Sequence, residues 1–194
     1  MTAKQINKLI LLLEEKGIEF DKGLSEFELG GIEKEFAIIF PADLKILLKT
    51  KLPVSNGFVH WRYGLNSTKG KIEIEQRLGR PLRGMLFDIK GNNFWLQEWG
   101  NKPPDFAEQK EIATTKLKNS PILIPIYSHR YIPSEPQEIG NPIFSIYQTD
   151  IIYYGFDLAD YLSKEFNLKL AEDFGEATEP KEIEFWSKLV ELNV

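Results

Sequence analysis

The sequence predicts an α+β fold: a mainly antiparallel central sheet with helices packed on one face, and further helices at the N-terminal and C-terminal ends. Three observations carry that expectation. Apolar, β-rich runs at Ile122–Tyr127, Ile143–Tyr147 and Ile151–Tyr154 are punctuated by Pro, Gly and Asp. An amphipathic segment, FDLADYL, follows them directly, so the sheet hands over to a helix. Ahead of the sheet, the N-terminal half carries repeated helix-start signals with apolar residues at helical spacing.

The elements follow in order. Ile6, Leu9, Ile10 and Leu13 fall on one helical stripe that Gly17 stops. The apolar run Leu9–Leu13 is too short to span a bilayer, lacks a small-residue cleavage site and runs straight into Glu14 and Glu15; it reads as a docked amphipathic helix. Ser25 and Glu28 have capping-box spacing ahead of Leu29, Ile32 and Phe36. Pro41 fits the first turn of a helix carrying Leu44, Leu47 and Leu48, which Leu52-Pro53 closes, and Ser55-Asn56-Gly57 signals a turn. Phe58–Tyr63 reads as a strand near a sheet edge and Gly64–Gly70 as a loop. Lys71–Leu78 fits helix or strand, Gly84–Lys90 reads as a short strand, and Phe94–Trp99 fits a strand or a short helix that would stack Trp95 on Trp99. Asp105 caps a helix ended by Asn119-Ser120-Pro121. After the sheet, Asp157 caps a helix through Leu158, Tyr161, Leu162 and Phe166, and Pro180 opens a last one with Ile183, Trp186, Leu189 and Val190. With 194 residues the chain fits one domain spanning 1–194, its C-terminal part (175–194) an appended helix.

Composition narrows the function classes. The chain is 42% hydrophobic and 27% charged, as a soluble globular domain is. It has no cysteine, which removes disulfides, thiolate metal sites and a Cys nucleophile. The net charge of −5 argues against nucleic acid as a partner and suits a basic protein. No segment reaches membrane-spanning length, so the expected location is cytoplasmic, with no membrane partner.

Chemistry-bearing motifs are scarce. There are two histidines, His60 and His129, and no HExxH, EF-hand, P-loop, G-x-G-x-x-G or G-x-S-x-G pattern. The expectation is therefore no catalysis, no metal and no cofactor. Asp150 reads as a turn residue and Asp157 as a helix cap. Arg130, between His129 and Tyr131 in an apolar region, has two readings. It either pairs with an inner carboxylate such as Asp150, or offers its fork to a partner. The candidate partner-binding residues are Trp61, Trp95, Trp99, His129, Arg130, Tyr131, Asp150, Tyr153, Tyr154 and Asp157. Aromatics are good interface anchors, and neighbours such as Tyr153 and Tyr154 point to opposite faces of a strand, so one of the two is expected to meet solvent or a ligand.

Three segments carry a family resemblance. They are IEKEFAIIFPADLKILLKTKLPVSNGFVHW (32–61), GMLFDIKGNNFWLQEWGNKP (84–103), and PILIPIYSHRYIP through GNPIFSIYQTDIIYYGFDLADYL (121–162). Together they resemble the SUKH superfamily, in the branch similar to the Smi/Knr cell-wall-assembly regulators, over about 32–166. One departure is that Phe40-Pro41 stands where members often have Leu-Pro. The resemblance implies a bacterial immunity protein that neutralises a cognate toxin, often a nuclease, by occluding it. The acidic residues expected to help are Glu26, Glu28, Glu33, Glu35, Asp150 and Asp157. A regulatory adaptor of the Smi/Knr kind, or a small-molecule binder using a groove of Trp95, Tyr131 and His129, are the alternatives. The oligomeric state, monomer or homodimer, is open.

Overall fold

The computed structural model describes residues 1–175 and 177–192. Helix α1 (Ala3–Glu15) starts at a capping box made by Thr2 and Gln5 and buries Ile6, Leu9, Ile10 and Leu13. Strands β1 (Phe20–Lys22) and β2 (Lys51–Pro53) form a small antiparallel ribbon. Between them lie α2 (Glu26–Phe36), with its Ser25–Glu28 capping box, and α3 (Ala42–Thr50), with Pro41 at the N-cap. The ribbon closes tightly: a Cβ on Gly23 would lie 1.9 Å from the Lys49 carbonyl oxygen, so only glycine fits.

Three helices follow, α4 (Trp61–Asn66), α5 (Thr68–Leu78) and α6 (Arg80–Gly91), then a 3₁₀ turn at Gln97–Trp99 and α7 (Phe106–Lys118), capped by Asp105. Strands β3 (Leu123–Tyr127), β4 (Arg130–Pro133), β5 (Ile143–Tyr147) and β6 (Asp150–Gly155) form one antiparallel sheet in the order β3-β4-β5-β6. Helix α8 (Leu158–Phe166) and helix α9 (Trp186–Glu191) complete the chain. The α+β, antiparallel expectation holds.

Helices cover both faces of the sheet rather than one. Ile124, Ile126, Ile132 and Ile143 join α1, α2, α3 and α8 in one hydrophobic cluster. Leu123, Tyr131, Phe144, Ile146 and Ile151, alternating with them along the strands, join Met85, Ile89, Ala113 and Trp186 from α6, α7 and α9 in a second. The reason is visible in the strands. A run such as Leu123–Tyr127 is apolar at consecutive positions, so both of its faces must be covered. The C-terminal segment is thus a wall of the second cluster. Ile183, Trp186 and Leu189 are buried there, and the Trp186 indole Nε1 donates to the Pro121 carbonyl at 2.7 Å.

Several local expectations are corrected. Phe58–Tyr63 is not a strand: Phe58 makes an isolated bridge to Tyr127, and Trp61 opens α4. Gly64–Gly70 is not a loop but the joint of α4 and α5, with Ser67 capping the second helix. Lys71–Leu78 resolves to helix. Gly84–Lys90 is helix, because Pro81 in the first turn starts α6 upstream of the window that looked strand-like. Phe94–Trp99 has only its last three residues in a 3₁₀ turn. The last helix starts at Trp186, six residues after Pro180. Arg130–Pro133 adds a fourth strand to the three apolar runs.

Candidate functional site

The sheet-to-helix handover, where most candidate residues sit, is built around Arg130. The β3–β4 turn and the first residue of β4 aim this side chain across β5 toward α8. Arg130 Nε donates to Glu165 Oε2 at 3.0 Å, its Nη1 donates to Ser145 Oγ at 2.8 Å, and its guanidinium lies 3.7 Å above the Tyr154 ring. The same Nη1 meets His129 Nε2. Arg130 is 9% exposed. It therefore takes the structural role, with Glu165 and not Asp150 as its carboxylate; Asp150 is exposed on the β5–β6 turn.

The His129 imidazole is held neutral. Burial, then the neighbouring Arg130 and Arg80, lower its pKa. Because a guanidinium only donates, Nε2 must be the acceptor, and the proton sits on Nδ1, 3.1 Å from Ser128 Oγ. Tyr161 is fully buried beside this group; its hydroxyl has no partner among the described residues, and burial pushes its pKa strongly up. The handover itself depends on Gly155. A Cβ there would lie 2.5 Å from Tyr161 Cβ and 2.6 Å from its Cα.

The remaining candidates divide by burial. Trp61, Trp99 and Tyr131 are 2%, 7% and 0% exposed; they are core residues and offer nothing to a partner. Trp95 is half-buried, edge-on to Trp99 at 5.1 Å, with its Nε1 donating to Gly100 O. Neither Tyr153 nor Tyr154 is free: the first donates its hydroxyl to Ser187 on α9, the second stacks under Arg130. Asp157 caps α8, accepting from Asp160 N at 2.8 Å. It also lines a cleft of about 540 Å³ with Asp160, Glu172 and Phe174. Among the described residues, Tyr131 cannot line an open groove with Trp95 and His129, because it is fully buried in the second cluster. Among the described residues, no three His, Asp or Glu side chains cluster as a metal site would require.

The acidic helix α2 is largely neutralised. Glu26 pairs with Lys49, Glu28 with Arg62 at 2.5 Å, Glu33 with Lys45 at 3.0 Å and Glu35 with Lys71. Arg62 and the Ser25 amide hold the Glu28 carboxyl down to about 2. These four carboxylates are committed inside the chain.

Sequence reasoning passed over two exposed anchors that share one hairpin. On the β5–β6 hairpin Tyr147 is 71% and Ile152 is 47% exposed, with exposed Asp150 between them. The turn is braced by buried Asp88 of α6, which accepts from Thr149 N at 2.9 Å and Thr149 Oγ1 at 2.6 Å. Next to Asp88, Phe87 is 59% exposed. The available signal was strand alternation: Tyr147 is the out-facing end of IFSIY. No family model, no curated protein and no solved structure matches this chain.

Proposed function

We propose that this chain is a non-catalytic protein-binding domain of the SUKH kind, an immunity protein acting in the cytoplasm that neutralises a cognate bacterial toxin by occluding it. The observation that carries the reading is the β5–β6 hairpin. It presents an exposed aromatic (Tyr147) at the end of β5 beside an exposed aliphatic (Ile152) and an exposed acid (Asp150) on the edge strand β6, and its turn is locked to α6 through Asp88. Rigid, mixed apolar and polar surface of this sort is what interface anchors need, since little side-chain freedom is lost on binding. The SUKH resemblance of residues 121–162 covers the same hairpin and supports the reading further.

The electrostatic contribution is narrower than composition suggests. With Glu26, Glu28, Glu33 and Glu35 paired internally, attraction for a basic toxin rests on the overall charge of −5 and on acids such as Asp150. The test is co-expression with the toxin-like product of a neighbouring gene. The expected outcome is a stoichiometric complex on gel filtration and survival of the producing cell. Failure to form a complex and to rescue growth refutes it.

A further inference from the structure

The corner between α5 and α6 concentrates positive charge in an acidic chain. The protein has five arginines. Three of them, Arg77, Arg80 and Arg83, line one groove of about 440 Å³ together with Gln76, Glu73 and Ser128. The other two, Arg62 and Arg130, each hold a carboxylate. Among the described residues, none of the three groove arginines has a carboxylate within 4.0 Å. Their guanidiniums are anchored instead on neutral carbonyls: Arg77 Nη1 donates to Gly57 O at 2.9 Å, and Arg83 Nη2 to Gln76 O. Three like charges kept together with only Glu73 near them, and no ion pair, are unfavourable unless something anionic joins them.

We infer that this groove is a phosphate site: Arg77, Arg80, Arg83 and Ser128 bind a compact phosphate-bearing anion, such as pyrophosphate or the phosphates of a nucleotide. Three guanidiniums against Glu73 leave a local charge of +2, which suits a phosphate better than a single carboxylate. Planar, multiply donating guanidiniums match phosphate oxygens. The volume fits a small ligand, and the net charge of −5 disfavours a nucleic-acid backbone. One further feature agrees. Because His129 gives its Nδ1 proton to Ser128 Oγ, the hydroxyl proton of Ser128 is left to donate to a ligand in the groove.

This goes beyond the toxin reading and stands independently of it. The test is calorimetric titration and thermal shift with pyrophosphate and with ATP, at constant ionic strength and with chloride as reference. Arg80 and Arg83 are exposed, so R80A/R83A should melt as the unliganded parent does. The expected result is saturable binding of pyrophosphate or ATP that R80A/R83A weakens by about tenfold or more and K110A leaves unchanged. Whichever probe binds tighter identifies the source of the phosphate. R80Q and R83Q, made singly, give the same comparison if the double variant folds poorly. The inference is overturned if neither probe binds beyond the chloride reference, if the arginine variants bind as the parent does, or if a short single-stranded RNA binds more tightly than ATP.

Discussion

Replacing Arg130 by methionine keeps most of the side-chain volume and removes everything polar it does. The change deletes the 3.0 Å charge-assisted bond to Glu165, the 2.8 Å bond to Ser145 and the guanidinium 3.7 Å above Tyr154. A hydrogen bond between charged groups contributes about 1.5–3 kcal/mol and a partly desolvated cation–π contact about 0.5–2 kcal/mol. Glu165, only 17% exposed, is left without its cation, which raises the cost. The expected loss is about 3–4 kcal/mol for R130M. Urea unfolding followed by circular dichroism at neutral pH measures it, with an unchanged slope confirming that the transition is the same one. In a cycle with E165L, the double variant should be more stable than the sum of the single losses predicts by about 1–2 kcal/mol, because the second change removes the stranded charge. A loss below about 1 kcal/mol for R130M, or strict additivity in the cycle, refutes the argument that this pair clamps the sheet to α8.

Four further outcomes follow from the geometry. The Glu28 carboxyl, lowered from 4.5 to about 2, is favoured in its ionised form by the fold. Its contribution is therefore complete above an unfolded value near 4.5 and disappears as pH falls through about 2. E28Q should cost about 1–2 kcal/mol at neutral pH, less than the full shift implies because water screens a surface pair, and should flatten the acid limb of a stability–pH curve. G155A forces a methyl group against the Tyr161 backbone and should cost about 2–3 kcal/mol in thermal or chemical unfolding, whereas a cost near zero would mean that β6 and α8 separate easily. W186A empties a buried site beside β6 and removes the bond to Pro121; about 3–5 kcal/mol should be lost. Y147A/I152A removes exposed groups only, so the melting temperature should stay within a few degrees while toxin binding weakens by about tenfold or more; equal toxin binding would move the interface elsewhere.

The sheet was readable because its strands are short, apolar and separated by turn residues, and three helix starts were readable because Ser25, Asp105 and Asp157 cap with their own side chains. Helix α6 was not. Its inward face mixes Met85 and Ile89 with Asp88, a buried acid whose partners, Asn92 and Thr149, include one on a distant hairpin, so the apolar period is interrupted by a residue whose reason lies elsewhere in the chain. Phe58–Tyr63 misled for a related cause. Its aromatic content looks like strand, yet Trp61 is used as a core plug wedged edge-on against Phe40 at 5.0 Å. The same burial explains the site residues that fell away. Trp61, Trp99 and Tyr131 have the composition of an interface, and nothing in a linear sequence distinguishes an aromatic turned toward a partner from one turned inward. The arginine groove did leave a trace, an arginine at every third position from Arg77 to Arg83, but the corner that gathers those side chains depends on where one helix stops and the next begins.

A sheet walled on both sides has a consequence for how the chain is made. Synthesis delivers α1 to α4 first, the four sheet strands later, and the Trp186 segment after all of them. While the ribosome is still adding the residues beyond α8, Phe144, Ile146 and Ile151 already belong to paired strands but lack part of their cover. The nascent protein passes through a stage with a finished front and an unfinished back, and during that interval its greasy rear surface is open to chaperones and to neighbouring copies of itself.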